Sequence, residues 1–128
     1  QVRMPTKKDT VFVLFLPMHE IHELGLMYLN YEFLSMGYQT IFLGESLPTE
    51  NLKEFTEIFD HVTFVSYFTV EPNPEEIDYY VEKIDQNILN PNTRFWITGR
   101  LSSSVKTEKT KNEIRTFSSI AEIINEIS

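Results

Sequence analysis

Cysteine is absent from this sequence of 128 residues. Without cysteine the chain can form no disulfide, no cysteine-ligated zinc finger or iron–sulfur cluster, and no thiol nucleophile. Basic residues are also few, because 11 lysines and arginines stand against 19 aspartates and glutamates and leave a net charge of −8. So acidic a surface repels nucleic-acid phosphates and anionic lipids, and we expect it to bind neither nucleic acid nor a membrane directly.

Long hydrophobic runs are missing as well. The longest, residues 11–18, is far too short to cross a bilayer, and residues 1–9 contain no apolar signal segment. Position 1 is not methionine, so we expect a fragment of a longer cytoplasmic protein. In that interpretation residues 1–9 are a linker or frayed start, and residues 10–128 form one domain.

Runs of β-branched and aromatic residues alternate along the chain with segments of helical spacing. The runs predict five strands, at residues 10–16, 38–43, 62–68, 93–98 and 113–117. Strands that alternate with helices form parallel βαβ units, and five strands fit the flavodoxin-like order 2-1-3-4-5 of an α/β fold. Residues 101–110 contain only two apolar side chains, which predicts a short or degraded fourth helix within 100–112.

The first helix is predicted over residues 21–36, where two apolar faces indicate that it is mostly buried. The residues of its first face are Leu24, Met27, Tyr28, Tyr31 and Leu34, and those of the second are Leu26, Leu29 and Phe33. Capping residues predict three further helix starts, at Thr49, at Asn73 with Glu76, and at Ser119 with Glu122.

The loop after the first strand is the richest in chemically active side chains. It contains His19, Glu20, His22 and Glu23, and ligands of open parallel sheets bind beyond the carboxyl ends of the strands. A carboxylate on one ring nitrogen of a histidine fixes its tautomer and makes the other nitrogen a better metal ligand. The alternative is a solvated helix start, with Glu20 and Glu23 at the positive end of the helix dipole.

Other site chemistries fit this sequence less well. His19 and His22 are three residues apart instead of the four of a helical zinc-protease motif, and His61 is the one candidate third ligand. The positions where a phosphoacceptor receiver needs acidic residues hold Pro17-Met18 and Ser66-Tyr67. The glycine-rich and hydroxyl-rich phosphate loop of flavodoxins is missing too.

The motif Glu20-x-His22-x-x-Gly25 resembles the aspartate-x-histidine-x-x-glycine signature of cobalamin-binding domains, with glutamate in place of aspartate. The resemblance covers nearly the whole chain, from about residue 10 to residue 128. It implies a Rossmann-like fold and a corrinoid ligand.

Two further motifs of that family have counterparts here. Ser66 follows Gly25 with 40 residues between them, and Phe68 stands where the family has a leucine. Gly99 follows Phe68 with 30 residues between, and Arg100 replaces the second glycine of a family pair. A cation at that point can obstruct the cofactor tail or pair with the nucleotide phosphate.

The resemblance implies a particular binding mode. The dimethylbenzimidazole tail of the cofactor leaves cobalt, and His22 takes its place as the lower axial ligand, oriented by Glu20. Gly25 lets the tail pass close to the helix, Ser66 hydrogen-bonds the tail, and Gly99 leaves room for it. The implied cofactor-binding residues are Glu20, His22, Gly25, Ser66, Phe68, Gly99 and Arg100, with His22 as the metal ligand.

Residues 22–26, 37–38 and 43–44 most resemble the cobalamin domain of MerR-type transcriptional regulators. This implies a non-enzymatic, cytoplasmic sensor of adenosylcobalamin or methylcobalamin, with DNA bound only through an upstream domain and with a homo-oligomer as a further expectation. One alternative is the cobalamin subunit of a corrinoid methyltransferase or mutase. Another is a degenerate, ligand-free interaction module of a regulator.

Overall fold

The computed structural model describes residues 10–44 and 48–128. The strands are β1 (Thr10–Phe15), β2 (Gln39–Gly44), β3 (His61–Tyr67), β4 (Thr93–Thr98) and β5 (Glu113–Thr116). The helices are α1 (Leu24–Ser35), α2 (Lys53–Ile58), α3 (Ile77–Asn87) and α4 (Ile120–Ile127). All strand pairs are parallel and follow the order β2-β1-β3-β4-β5, so the predicted fold class is confirmed. The predicted linker at residues 1–9 lies outside the described residues.

The strand β1 is buried along its whole length because the sheet has helices on both faces. Its side chains alternate between two apolar layers, as the period of a strand requires. One layer contains Val11, Val13 and Phe15 and packs against α3. The other contains Phe12 and Leu14 and packs against α1 and α4. This double layer fixes the carboxyl end of β1, and with it the loop that carries the candidate site.

The helix α1 differs from its prediction in length and in burial. It begins at Leu24 instead of residue 21, because the preceding backbone is bent into the turn described below. The second predicted face is buried, but the first is exposed, so the prediction of a mostly buried helix is wrong. The residues of the exposed face are Leu24, Met27, Tyr28, Tyr31 and Leu34. A sheet covers only one side of a helix that packs on it. The side of α1 that faces the sheet carries Leu26, Leu29 and Phe33.

The other helix starts follow the predicted capping residues only in part. Asn73 accepts a hydrogen bond from the Glu75 N–H, and Ser119 accepts one from Glu122, so both caps are confirmed. Thr49 is not a cap, because it lies inside a 3₁₀ turn that precedes α2. Within the described ranges, no helix combines the length and the apolar character needed to span a membrane.

The segment after β4 is a 3₁₀ turn, Arg100–Ser104, followed by a loop, as its polar composition predicts. The loop is held by the buried carboxylate of Asp85 on α3. Asp85 accepts hydrogen bonds from the backbone N–H groups of Lys111 at 2.8 Å and Asn112 at 2.9 Å. These bonds replace the apolar contacts that a full helix would make.

Candidate functional site

The candidate site begins where β1 ends. Pro17 closes the strand, and the Glu20 N–H donates to the Pro17 carbonyl oxygen at 3.1 Å. His19, inside this turn, has a φ of 71°, in the left-handed region. The turn directs the Glu20 side chain inwards, where it is completely buried, although His19 and Ile21 on either side are exposed.

The Glu20 carboxylate is enclosed by the loop that follows β3. Its Oε1 accepts hydrogen bonds from the backbone N–H groups of Thr69 at 3.2 Å, Val70 at 2.8 Å and Glu71 at 2.9 Å. Its Oε2 accepts from the Thr69 hydroxyl at 2.8 Å and from the His22 backbone N–H at 3.0 Å. Each donor favours the ionised form of the carboxyl.

These contacts set the charge of Glu20. Burial by itself raises the pKa of a carboxyl, but the N–H groups of Glu71, Val70 and His22, with the His22 ring, outweigh it and lower the pKa of Glu20 to about 2. Glu20 is therefore a buried anion at neutral pH.

His22 lies directly against this anion. Its Nδ1 is 2.6 Å from Glu20 Oε2, and the Thr69 hydroxyl oxygen is 3.1 Å from the same nitrogen. An ionised carboxylate can only accept, so the short contact assigns the proton to Nδ1 and leaves the lone pair of the neutral ring on Nε2. The side chain is 56% exposed. This donor arrangement fits a single axial metal ligand held by a carboxylate.

Gly25 is in contact with the ring of Tyr67, at the end of β3. A Cβ atom on Gly25 would lie 2.9 Å from the Cζ atom of Tyr67 and 3.2 Å from each Cε atom. The gap between the first turn of α1 and the end of β3 is therefore filled by a side chain of this chain. While the ring is in this position, a cofactor tail has no room at that point.

Ser66 and Gly99 each have a structural role within the fold. The Ser66 hydroxyl is fully buried and donates to the Phe15 carbonyl oxygen at 2.8 Å. Gly99 has a φ of 105°, and a Cβ there would overlap the backbone carbonyl oxygen of Phe68. Glycine at 99 is thus required by the crossing of two backbones. The predicted roles of Ser66 and Gly99 towards a cofactor stay predictions.

Phe68 is buried and Arg100 is exposed. The Phe68 ring is buried and packs edge-on against Tyr80, with ring centroids 5.7 Å apart. The exposed Arg100 donates from Nη2 to the Thr69 carbonyl oxygen at 2.8 Å. Arg100 therefore supports the loop that surrounds Glu20.

The zinc alternative fails on topology. His61 begins β3 at the amino edge of the sheet, whereas His22 follows the carboxyl end of β1 at the opposite edge. In the described part of the chain, no three histidine, cysteine, aspartate or glutamate side chains are grouped to hold a metal ion.

Two parts of the site were not predicted from the sequence. The loop 69–71 acts through backbone N–H groups, which leave no mark in the residue types. Tyr67 is bulky at a strand end, but only its contact with Gly25 reveals its position in the site.

Comparisons with known proteins show a similarity in fold. No protein-family model and no curated protein sequence matches the chain. Among solved structures, the monomethylamine corrinoid protein of Methanosarcina barkeri superposes with a TM-score of 0.72 at 17% identity, over 94% of this chain and 58% of that one. A cobalamin-binding protein from Desulfitobacterium hafniense gives 0.68 at 12% identity, with the same two coverages. The chain thus spans 58% of the length of either neighbour and shares with them an α/β Rossmann-like fold.

Proposed function

We propose that this chain is a cobalamin-binding domain in which His22 is the lower axial ligand of cobalt. The observation that carries the proposal is the pair of a buried, ionised Glu20 and an exposed His22, 2.6 Å apart. The pair lies where the loops after β1 and β3 meet. That is the topological switch point of the sheet, where open α/β sheets bind their ligands.

The chain's own residues would divide the work of binding. Glu20 holds the His22 proton on Nδ1 and fixes the ring, so that Nε2 would be free to hold the metal. The loop 69–71 holds Glu20 in turn, and Arg100 supports that loop through the Thr69 carbonyl group. A bound corrinoid would supply the cobalt and all chemistry at its upper face.

The wider role we propose is that of a sensory domain in a cytoplasmic, MerR-type transcriptional regulator. The support is the sequence resemblance and the net charge of −8, which suits a sensing domain whose DNA contacts are made elsewhere. In this role the domain binds adenosylcobalamin or methylcobalamin and catalyses no reaction. In the same proposal the regulator is a homo-oligomer.

A corrinoid carrier in a methyl-transfer system is the second candidate. The observation that favours it is the similarity to a monomethylamine corrinoid protein, which supports a carrier as well as a sensor. Both candidates use His22 in the same way. The sequence joined to the domain in the full protein separates them, because a winged helix-turn-helix favours the regulator and a catalytic barrel favours the enzyme subunit.

The proposal is tested by cofactor retention. The purified domain is mixed with adenosyl-, methyl- or hydroxocobalamin, desalted, and its visible spectrum is recorded. We expect the wild type to retain cobalamin and His22→Ala to lose most of it, because the variant has no axial nitrogen.

The matched control is His19→Asn. His19 is exposed, and asparagine tolerates its left-handed φ, so this variant should bind like the wild type. Equal retention by the wild type and His22→Ala, with the same spectrum, would exclude the axial role. Loss of binding in both histidine variants would mean that the turn, and not the ligand, had been damaged.

A further inference from the structure

We propose that Tyr67 determines which corrinoids this domain accepts, by obstructing the lower nucleotide tail. The inference rests on the proposed function, because it concerns the same site. The sequence motif provides a glycine at position 25, and the fold fills the space beside that glycine with an aromatic ring.

The obstruction is a matter of atomic distances. The ring atoms of Tyr67 lie 2.9 to 3.2 Å from the place of a Cβ on Gly25, which is tighter than ordinary carbon–carbon contact. Even one added methyl group would have to displace the ring. A planar base is much larger than a methyl group, so it cannot lie beside Gly25 while the ring is there.

On the β3 side the backbone is held in place. Tyr67 is the last residue of β3 and is paired in register with Thr98 of β4. The next residue, Phe68, donates its N–H to the Thr98 carbonyl oxygen at 2.8 Å. On the other side, Ser66 is held to Phe15 through its hydroxyl. Rotation of the Tyr67 side chain makes room without breaking any of these contacts.

There is space into which the ring can rotate. Tyr67 forms one wall of an open depression of about 420 Å³, bordered by Gly99, Ser103 and Ser119. In its present position the ring packs against the apolar layer between the sheet and the helices α1 and α4. Moving it outwards exposes apolar surface, which opposes the displacement.

Corrinoids should therefore be distinguished by their tails. Cobinamide has no nucleotide, so it can use His22 without moving Tyr67. Cobalamin must displace the ring before its tail can enter. Removing the ring should strengthen cobalamin binding and leave cobinamide binding unchanged.

The test titrates the wild type and Tyr67→Ala with hydroxocobalamin and with diaquocobinamide and follows the visible spectrum. We expect the substitution to raise cobalamin affinity about tenfold or more and to change cobinamide affinity by less than about twofold. Tyr67→Val is the second variant, since a β-branched residue suits the strand and keeps part of the packing. Thermal unfolding of each variant shows that it is folded.

The matched control is Tyr31→Ala, on the exposed face of α1, where the side chain is 64% exposed. It should change neither affinity. If Tyr67→Ala and Tyr67→Val have the same ratio of cobalamin affinity to cobinamide affinity as the wild type, the role of Tyr67 is overturned. The proposed function is then left intact. Failure of the wild type and both variants to bind cobinamide would overturn the proposed function and this inference together.

Discussion

Glu20 joins two loops that follow different strands. Its carboxylate takes hydrogen bonds from residues 69–71 after β3 and holds His22 after β1. A buried carboxylate that lost its charge would leave these N–H donors with a weaker acceptor. The folded state of the domain therefore depends on the ionisation of this one side chain.

Acid should destabilise the domain through Glu20. The pKa of Glu20 is about 2 in the folded state against an ordinary value of 4.5, so the unfolded chain binds the proton more readily. The resulting stabilisation is complete above the unfolded pKa and is lost as the pH falls from about 5 to about 2. Its size is on the order of 3 kcal/mol.

Urea unfolding at a series of pH values measures this effect. The difference in unfolding free energy between the wild type and Glu20→Gln should shrink across that acid range, since glutamine does not titrate. Glu54→Gln, on an exposed position of α2, is the control and should follow the wild type at every pH. Parallel curves for the wild type and Glu20→Gln would show that Glu20 is not the linked group.

The sequence predicted the pairing of Glu20 with His22, since the motif places a carboxylate where it can orient the histidine ring. Their proximity is confirmed by the 2.6 Å contact. The donors to Glu20 were not predictable, because any residue type can supply a backbone N–H. Gly99 was predicted to make room for a ligand, and the fold gives it the additional reason of a positive φ beside the Phe68 backbone.

The helix α1 is the element whose buried face the sequence pattern could not predict. Both of its faces are apolar at helical spacing, so hydrophobicity alone could not identify the side that packs on the sheet. Leu29 is fully buried, whereas Leu24 is 81% exposed. The strand bounds, in contrast, agree with prediction to within one residue, because β-branched and aromatic runs end at clear polar or proline positions.

The two faces of α1 should differ strongly in their contribution to stability. Leu29→Ala should lower the free energy of unfolding by about 3 kcal/mol, because it leaves a cavity between α1 and the sheet. Leu24→Ala makes the same chemical change on the same helix and should alter it by less than about 0.5 kcal/mol. Urea unfolding of both variants measures the difference. Equal losses would contradict the assignment of the faces.

For the whole molecule, the alternation of strands and helices was enough to predict the sheet order. Right-handed βαβ crossovers leave few arrangements for five parallel strands, and the observed order is the flavodoxin-like one. The cofactor could not be deduced from that fold, because the same sheet supports many unrelated functions. The proposal of cobalamin therefore rests on the Glu20–His22 geometry and on the motif that contains it.

The central claim is that a nitrogen of His22 binds cobalt in place of the cofactor's own base. The most direct test is electron paramagnetic resonance of the reduced, Co(II) cofactor bound to domain labelled with ¹⁵N only in histidine. We predict that the nitrogen splitting of the cobalt signal changes from a triplet in unlabelled domain to a doublet in labelled domain, and that His22→Ala loses the doublet. A triplet that persists in the labelled domain would mean that the cofactor's base remains on cobalt, and it would contradict the account.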